Sequence, residues 1–338
     1  LYLYLRDRVE LATESQRQRQ TPGLCSLKKH DKGEYIFLTP GHPLNLPPAP
    51  PLDESKNPYR GLESFEAEHK DLFFGRTEII DQLEQFVASH SLTVVLGASG
   101  SGKSSLVKAG LLPKLQTALM PIVIRPGKSA YAALNLALNQ ETTAQQPYVK
   151  LISDWKQDNP SIKILLVIDQ CEELITLCQD QQESYSFLNE LEQVIAKHSD
   201  TIKVILTLRS DFEPQLRDLA LKERWQAARF IVPAMSRSQL REAIEKPAEA
   251  RVMYFQPYEL VDQLIDEVAD MPGALPLLSF ALSELYLKYL KRQREANFRG
   301  ETLDRAIIQA DYDELGGVTR SLTQRADQEC NTLGEAYE

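Results

Sequence analysis

Short apolar runs alternate with amphipathic stretches along the middle of the chain. Runs of strand length, rich in Val, Ile and Leu, predict β-strands at residues 92–96, 121–125, 162–169, 202–208 and 229–232. Around them apolar residues recur at helical spacing, which predicts helices at residues 77–89, 103–119, 130–139, 148–157, 183–197 and 212–222. Strands that alternate with helices are typical of an α/β fold, in which helices cover both faces of a mostly parallel, five-stranded sheet.

The pattern changes on both sides of this region. After Pro233 it becomes helical, and it predicts helices at 236–250, 258–269 and 274–291. Before it, six prolines within residues 41–58 leave few backbone donors and indicate an extended linker. The predicted divisions are a short N-terminal segment (1–40), the linker (41–58), an α/β domain (59–232), a helical domain (233–298) and the start of a further small unit (299–338).

Composition and charge narrow the class of protein. Hydrophobic residues make up 43% of the 338 residues, enough for a sizeable core. The net charge of −10 argues against a large nucleic-acid footprint, and no apolar run approaches the length that spans a membrane. With no signal peptide, we expect a cytoplasmic protein with reduced cysteines. Because its first methionine is Met120, we expect the chain to be a piece of a longer protein.

The run from Gly97 to Ser104, GASGSGKS, matches the phosphate-binding pattern G-x-x-x-x-G-K-[ST] in full. It lies between a predicted strand and a predicted helix, which is the context the motif requires. Small residues let the backbone curl around a phosphate, Lys103 reaches the β- and γ-phosphates, and the Ser104 hydroxyl binds Mg²⁺. The residues expected to bind nucleotide here are Gly97, Ala98, Ser99, Gly100, Ser101, Gly102, Lys103, Ser104 and Ser105.

Acidic residues follow the apolar strand at 162–169, whose last residue is Asp169. An Asp at the carboxyl end of such a strand holds Mg²⁺, so Ser104 and Asp169 together form the predicted metal site. Glu172 and Glu173 come next, and we expect one of them to polarise the attacking water as a general base, with Glu172 preferred. The alternative is that both glutamates only cap the helix that follows.

An arginine, Arg209, ends the next strand. This position lies beside the carboxyl end of the strand that leads into the phosphate loop. We therefore expect Arg209 to contact the γ-phosphate and to stabilise charge in the transition state. The alternative is a surface arginine paired with Asp211 or Glu213.

Together these stretches resemble the novel bacterial STAND family of P-loop signalling ATPases. The resemblance covers residues 57–338 in the family's order. Besides the phosphate loop it rests on residues 57–62 (NPYRGL), 72–76 (LFFGR), 167–174 (VIDQCEEL), 207–212 (TLRSDF) and 272–278 (PGALPLL).

The resemblance implies roles for residues that the phosphate-loop pattern does not cover. Phe74, Gly75 and Arg76 would lie near the adenine and ribose, and Pro276 would close over the base. The alternative for Pro276 is that it only punctuates a helix. Residues 299–338 would begin a winged-helix domain that is cut short here.

The function that the resemblance implies is an ATP-binding switch that hydrolyses ATP slowly, with ATP or ADP and Mg²⁺ as cofactors. Its ATP state would close the helical domain on the α/β domain and favour self-association. Residues 1–40 resemble the last helix and strand of a caspase-like peptidase domain. We therefore expect the full-length protein to couple a C-terminal sensor, built of repeats such as WD repeats, to an N-terminal caspase-like effector.

Two other functions stay open at this point. A DNA-associated ATPase of the replication-initiator type shares the P-loop core and the winged helix, but it predicts a basic face, which the net charge disfavours. A nucleotide-binding scaffold that hardly turns over would also keep the phosphate loop. Asp169 and Glu172 argue for ATP hydrolysis but do not set its rate. We expect neither a membrane nor a nucleic acid as a partner.

Overall fold

The structure, a computed structural model, describes residues 49–138, 152, 153, 155, 157, 159, 161–178, 180–217, 221–323 and 325–327. The predicted caspase-like tail at 1–40 and the first part of the linker lie outside the described residues, as does most of the helix predicted at 148–157. Within the described residues, no helix is both long and apolar enough to cross a lipid bilayer. The described residues belong to one compact unit of the chain.

A parallel sheet of five strands forms the centre of the α/β domain, with the strand order β2-β3-β4-β1-β5. Its strands are β1 (Leu92–Gly97), β2 (Met120–Ile124), β3 (Ile164–Ile168), β4 (Ile202–Arg209) and β5 (Arg229–Ile231). Every residue of β1 and β3 is buried, as expected for central strands that are covered on both faces. The predicted α/β fold with a five-stranded parallel sheet is confirmed.

Helices pack on both faces of this sheet. They are α1 (Thr77–Ser89), α2 (103–115), α3 (Ala130–Ala137), α4 (Glu173–Thr176), α5 (Gln181–Lys197), α6 (Glu213–Arg217) and α7 (Lys222–Ala228). Adjacent residues of a strand point to opposite faces, so Val94 shares a core with Phe187 of α5 while Val95 shares the other core with Leu83 of α1.

The helix predicted at 212–222 differs from the described residues at both ends, since Phe212 lies in a 3₁₀ turn and Leu221 lies outside any helix; residues 218–220 are outside the described part of the chain. A short 3₁₀ turn, Ser210–Phe212, is followed by the two separate helices α6 and α7. Leu216, Leu221 and Trp225 are all buried in the same core, so two short helices satisfy the apolar spacing that suggested one. The Trp225 indole N–H donates to Glu213 Oε1 at 2.9 Å, which ties the second helix to the start of the first.

The helix after the phosphate loop, α2, is irregular. It begins at Lys103 and passes through a π-helical stretch, Leu106–Leu111, before it ends at Leu115. π-helical turns occur frequently at functional sites. Gly110, within this stretch, allows the backbone to approach α1, since a Cβ atom there would lie 2.8 Å from Ile80.

The part of the chain after β5, called the helical region below, is helical apart from a small parallel pair of strands. Its elements are α8 (Arg237–Glu249), β6 (Tyr254–Gln256), α9 (Glu259–Val268), α10 (Leu275–Phe298), β7 (Ala306–Ile308) and α11 (Gln309–Leu315). Ile307, Tyr312 and Leu315 are buried in the same core as α9 and α10. Residues after 298 thus help to complete the core of the helical region, and their assignment to a winged-helix domain stays a prediction.

The described end of the linker docks on the helical region. Tyr286 of α10 donates its hydroxyl to the Asp53 carbonyl at 2.7 Å, and the Asn57 side-chain amide donates to Ser283 Oγ at 2.9 Å. Tyr59 is buried, with its hydroxyl 2.6 Å from the Ile244 carbonyl of α8. These contacts fix the path by which the chain enters the α/β domain.

Candidate nucleotide site

The phosphate loop lies between β1 and α2 and has the backbone shape of an anion cradle. Gly100 and Gly102 adopt positive φ angles of +68° and +84°, a region that glycine enters without strain. The Lys103 ammonium is buried, and its hydrogen-bond partners among the described residues are neutral: the carbonyls of Gly97 and Ala98, at 3.0 and 2.8 Å. Burial is the main cause that lowers the pKa of Lys103 below its usual value. A buried cation without a bonded anion fits a site for phosphate.

Ser101 gives a second indication that the loop suits a phosphate. Its side-chain oxygen is buried and makes no hydrogen bond to any described residue. The oxygen packs against Gly97, where an added Cβ atom would lie 2.6 Å away. A buried hydroxyl without a partner is costly, and a bound phosphate would satisfy it. The residues present therefore fit the nucleotide that the motif implies.

Asp169 lies at the carboxyl end of β3 and receives three hydrogen-bond donors. The hydroxyls of Ser104 and Thr207 both donate to its Oδ1, at 2.6 and 2.7 Å, and the Lys108 ammonium lies 3.1 Å from its Oδ2. The carboxylate itself is almost fully buried. The predicted pair of Ser104 and Asp169 is thus brought together, and hard oxygen donors of this kind suit Mg²⁺.

The two candidate glutamates lie in different surroundings. Glu172 lines the cavity in front of the phosphate loop, and its Oε2 accepts a long hydrogen bond of 3.4 Å from the Arg209 backbone N–H. Glu173 is buried, where it accepts from the Arg125 Nε at 2.5 Å and from the Gly127 backbone N–H at 2.9 Å. Glu172 can therefore contact a molecule in the cavity, whereas both oxygens of Glu173 are already bonded to Arg125 and Gly127.

Arg209 lines the same cavity, but its charge has a partner in this structure. Its guanidinium bonds both oxygens of Asp211, at 3.1 and 2.7 Å, and lies over the Phe212 ring. The hydrogen bond to Asp211 is the main cause that raises the pKa of Arg209 above its usual value. The pairing considered as the alternative is thus present, and a role at the γ-phosphate stays a prediction.

The cavity has a volume of about 770 Å³ and extends from the acidic residues to the helical region. Pro276 and Leu278 of α10 line it, and Met235 lines it from just before α8. The NPYRGL stretch lines it as well, from Tyr59 onward. A molecule in this cavity would therefore contact the phosphate loop and the helical region at once.

The helical region contacts the phosphate loop directly, without a ligand between them. Gly273, just before α10, has a φ of +78°, and a Cβ atom there would lie 2.6 Å from the Ser99 carbonyl. A Cβ atom on Gly100 would lie 2.5 Å from the Gly273 carbonyl. Each glycine thus permits a backbone approach that a larger residue would obstruct.

The triplet from Phe74 to Arg76 connects the same two regions. Arg76 is buried, and its guanidinium donates to the Pro233 carbonyl at 3.0 Å and to the Ser101 carbonyl at 3.2 Å. Gly75 packs against the Gln239 backbone of α8. Phe74 and Arg76 line the cavity, whereas Gly75 lies outside its lining. Contact of the triplet with adenine and ribose stays a prediction.

Sequence reasoning missed several residues that the fold brings to the site. Thr207, which bonds Asp169, belongs to the 207–212 motif but was given no role of its own. No sequence pattern pointed to Arg125, which bonds Glu173. Lys108 did have one, because it lies four residues after Ser104 and so shares a face of α2 with it. Ser105 supports the site from outside the phosphate loop, by accepting a hydrogen bond of 3.0 Å from the Phe65 backbone N–H.

A protein-family model described as nSTAND1, Novel STAND NTPase 1, matches residues 58–338. A search of curated protein sequences gives no match.

Solved structures with a similar fold include the Aeropyrum pernix ORC1 protein in complex with DNA, at 14% identity and a TM-score of 0.48, over 79% of this chain and 68% of that one. They also include the Walker-type ATPase paby2304 of Pyrococcus abyssi, at 14% identity and a TM-score of 0.46, over 71% of this chain and 80% of that one. A third is the ORC2 protein of Aeropyrum pernix, in ADPNP-ADP complexes, at 13% identity and a TM-score of 0.49, over 68% of this chain and 65% of that one.

Proposed function

The chain belongs to the novel STAND NTPase 1 family, and from this premise we propose that it is an ATP-binding, slowly hydrolysing signalling switch. In this proposal the nucleotide state controls how the helical region closes on the α/β domain, and the ATP state favours self-association. The observation that carries it is the shared cavity, which the phosphate loop lines on one side and α10 lines on the other. A ligand shifts a conformational equilibrium only through contacts that differ between the two states, and in this proposal the residues that line the cavity supply those contacts.

The proposed chemistry assigns one task to each side chain. Lys103 binds the β- and γ-phosphates, and Ser104 with Asp169 holds Mg²⁺, which when bound offsets charge on the phosphates. Glu172 orients the attacking water and accepts its proton. Arg209 leaves Asp211 and contacts the γ-phosphate, which is the group that distinguishes ATP from ADP.

The proposed partners follow from the family resemblance. In the full-length protein a C-terminal repeat sensor would set the switch, and an N-terminal caspase-like domain would respond to it in the cytoplasm. Their support is the resemblance of residues 1–40 to a caspase-like tail and the family to which residues 58–338 belong. The described residues supply the part between them, which binds nucleotide.

Small-angle scattering of the 338-residue chain tests the switch. With Mg²⁺ and a non-hydrolysable ATP analogue, we expect a change in shape or in oligomer mass that ADP does not produce. Lys103→Ala is the matched control, because it removes the phosphate contact and should show no response to either nucleotide. Identical scattering with two nucleotides that both bind would contradict the switch and would favour a nucleotide-binding scaffold.

A further inference from the structure

Lys108 links Asp169 to a second segment that lines the cavity. Its ammonium lies 3.1 Å from Asp169 Oδ2 and 3.1 Å from Glu66 Oε1. Glu66 belongs to the stretch between Tyr59 and Phe74 that lines the cavity beyond the phosphate loop. One partly buried cation is therefore shared between the carboxylate of the predicted metal site and a carboxylate outside it.

Lys108 is not needed to orient Asp169. The other carboxylate oxygen, Oδ1, already accepts hydrogen bonds from Ser104 and Thr207, at 2.6 and 2.7 Å. Two hydroxyl donors from different elements, α2 and β4, fix the plane of the carboxylate. What Lys108 adds is a positive charge next to Oδ2, inside a site where water does not screen it well.

From this geometry we propose that Lys108 acts through Asp169: its positive charge weakens the attraction of Asp169 for Mg²⁺, and Glu66 moderates this effect by sharing the ammonium. The inference rests on the proposed nucleotide and Mg²⁺ site. A cation beside the carboxylate lowers the negative charge that a divalent ion meets at Ser104 and Asp169. The negative charge of Glu66 offsets part of the ammonium's electrostatic effect at the metal site, so Glu66 and Lys108 act on metal affinity in opposite directions.

Binding of Mn²⁺ to the 338-residue chain with saturating ADP tests the proposal, with free Mn²⁺ measured by electron paramagnetic resonance. Lys108→Met is expected to lower the Kd for Mn²⁺ about tenfold, because a nearby positive charge is removed. Lys108→Arg keeps the charge and should stay close to the wild-type value. Glu66→Gln should raise the Kd a few-fold, since Lys108 is then left to Asp169 alone.

Lys114→Met is the matched control on the same helix. Lys114 pairs with Asp81 at 2.5 Å and Glu84 at 3.1 Å, away from the cavity, so its loss should leave Mn²⁺ binding unchanged. A purely structural role for Lys108 predicts a lowered stability with unchanged or weaker Mn²⁺ binding. A Lys108→Met variant whose Mn²⁺ binding is unchanged or weaker overturns the proposal. A Glu66→Gln variant that binds Mn²⁺ more tightly overturns it as well.

The affinity for ADP without a metal ion, measured in parallel, separates this inference from the proposed function. A wild-type chain that binds no ADP overturns the proposed function and this inference with it. A wild-type chain that binds ADP and Mn²⁺, together with a Lys108→Met variant of unchanged Mn²⁺ affinity, overturns this inference alone.

Discussion

Arg209 and Asp211 form an ion pair with two hydrogen bonds at the edge of the cavity, where Arg209 Nε and Nη2 lie 3.1 and 2.7 Å from the two carboxylate oxygens. Both side chains are well exposed, so the pair adds little to the stability of the fold. Its importance lies in the site. In the proposed function the guanidinium would exchange Asp211 for a phosphate at low cost, and Asp211 would compete with the ligand for Arg209.

Arg209→Ala is expected to weaken the binding of a non-hydrolysable ATP analogue roughly tenfold or more and to leave ADP binding near the wild-type value. The reason is that a hydrogen bond to a charged group contributes about 1.5–3 kcal/mol, and only the analogue carries the γ-phosphate. Asp211→Asn should have the opposite effect, a several-fold gain for the analogue, because it frees the guanidinium. Calorimetric titration with each nucleotide measures both.

The matched control for this prediction is Arg224→Ala. Arg224 pairs with Glu192 at 2.7 Å, and its side chain is exposed to nearly the same extent as that of Arg209, 40% against 39%. It does not line the cavity, so both affinities should stay at the wild-type values. Equal losses for the analogue and for ADP in Arg209→Ala would contradict a role at the γ-phosphate.

Lys103→Ala is expected to abolish ATP binding in a titration that detects wild-type binding. Its ammonium is the only charge that the phosphate loop itself, residues 97–104, offers to the phosphates, and within the described part of the chain it bonds the neutral carbonyls of Gly97 and Ala98. Lys114→Ala, at the exposed end of the same helix, serves as the control and should bind ATP normally. An unchanged affinity in Lys103→Ala would show that the loop does not hold the phosphates.

The sheet was predictable because its signal is local. Each strand is a short apolar run, and full burial of β1 and β3 makes those runs continuous rather than alternating. The phosphate loop and Asp169 were predictable for a similar reason. Each directly follows an apolar strand, and the end of the apolar run marks that position in the sequence. Asp169 and Ser104 lie 65 positions apart, yet parallel topology brings both to one edge of the sheet.

The partners of these residues were not predictable, because they depend on which elements become neighbours. Glu173 meets Arg125 only because β2 lies beside β3 in the sheet. Arg76 bonds the carbonyls of Pro233 and Ser101, a contact that depends on where the helical region begins in space. Hydrophobic spacing also did not predict that Leu221 lies outside a helix and that a new helix begins at Lys222, since it records which residues are buried and not how many helices bury them.

Glu172→Gln is expected to slow ATP hydrolysis by about 10²-fold or more while ATP still binds, because an amide cannot accept the proton of the attacking water. Glu173→Gln should instead lower the free energy of unfolding by about 1–2 kcal/mol, since it removes the charge that Arg125 and Gly127 bond. Single-turnover hydrolysis and urea denaturation measure the two effects. If Glu173→Gln loses hydrolysis at wild-type stability and Glu172→Gln does not, the assignment within the pair is wrong.

Gly273→Ala is expected to separate the helical region from the phosphate loop. Gly273 and Gly300 have similar positive φ angles, +78° and +73°, so alanine at either position meets similar backbone strain, about 1 kcal/mol. Only at Gly273 would the added Cβ meet another group, the Ser99 carbonyl at 2.6 Å, whereas nothing lies within 4 Å at Gly300. Gly300→Ala should therefore lose a little stability and keep nucleotide affinity, while Gly273→Ala should also bind nucleotide more weakly and be cleaved faster near residue 273 in limited proteolysis. Matching affinities and cleavage rates in the two variants would show that the contact between Gly273 and the phosphate loop does not support the site.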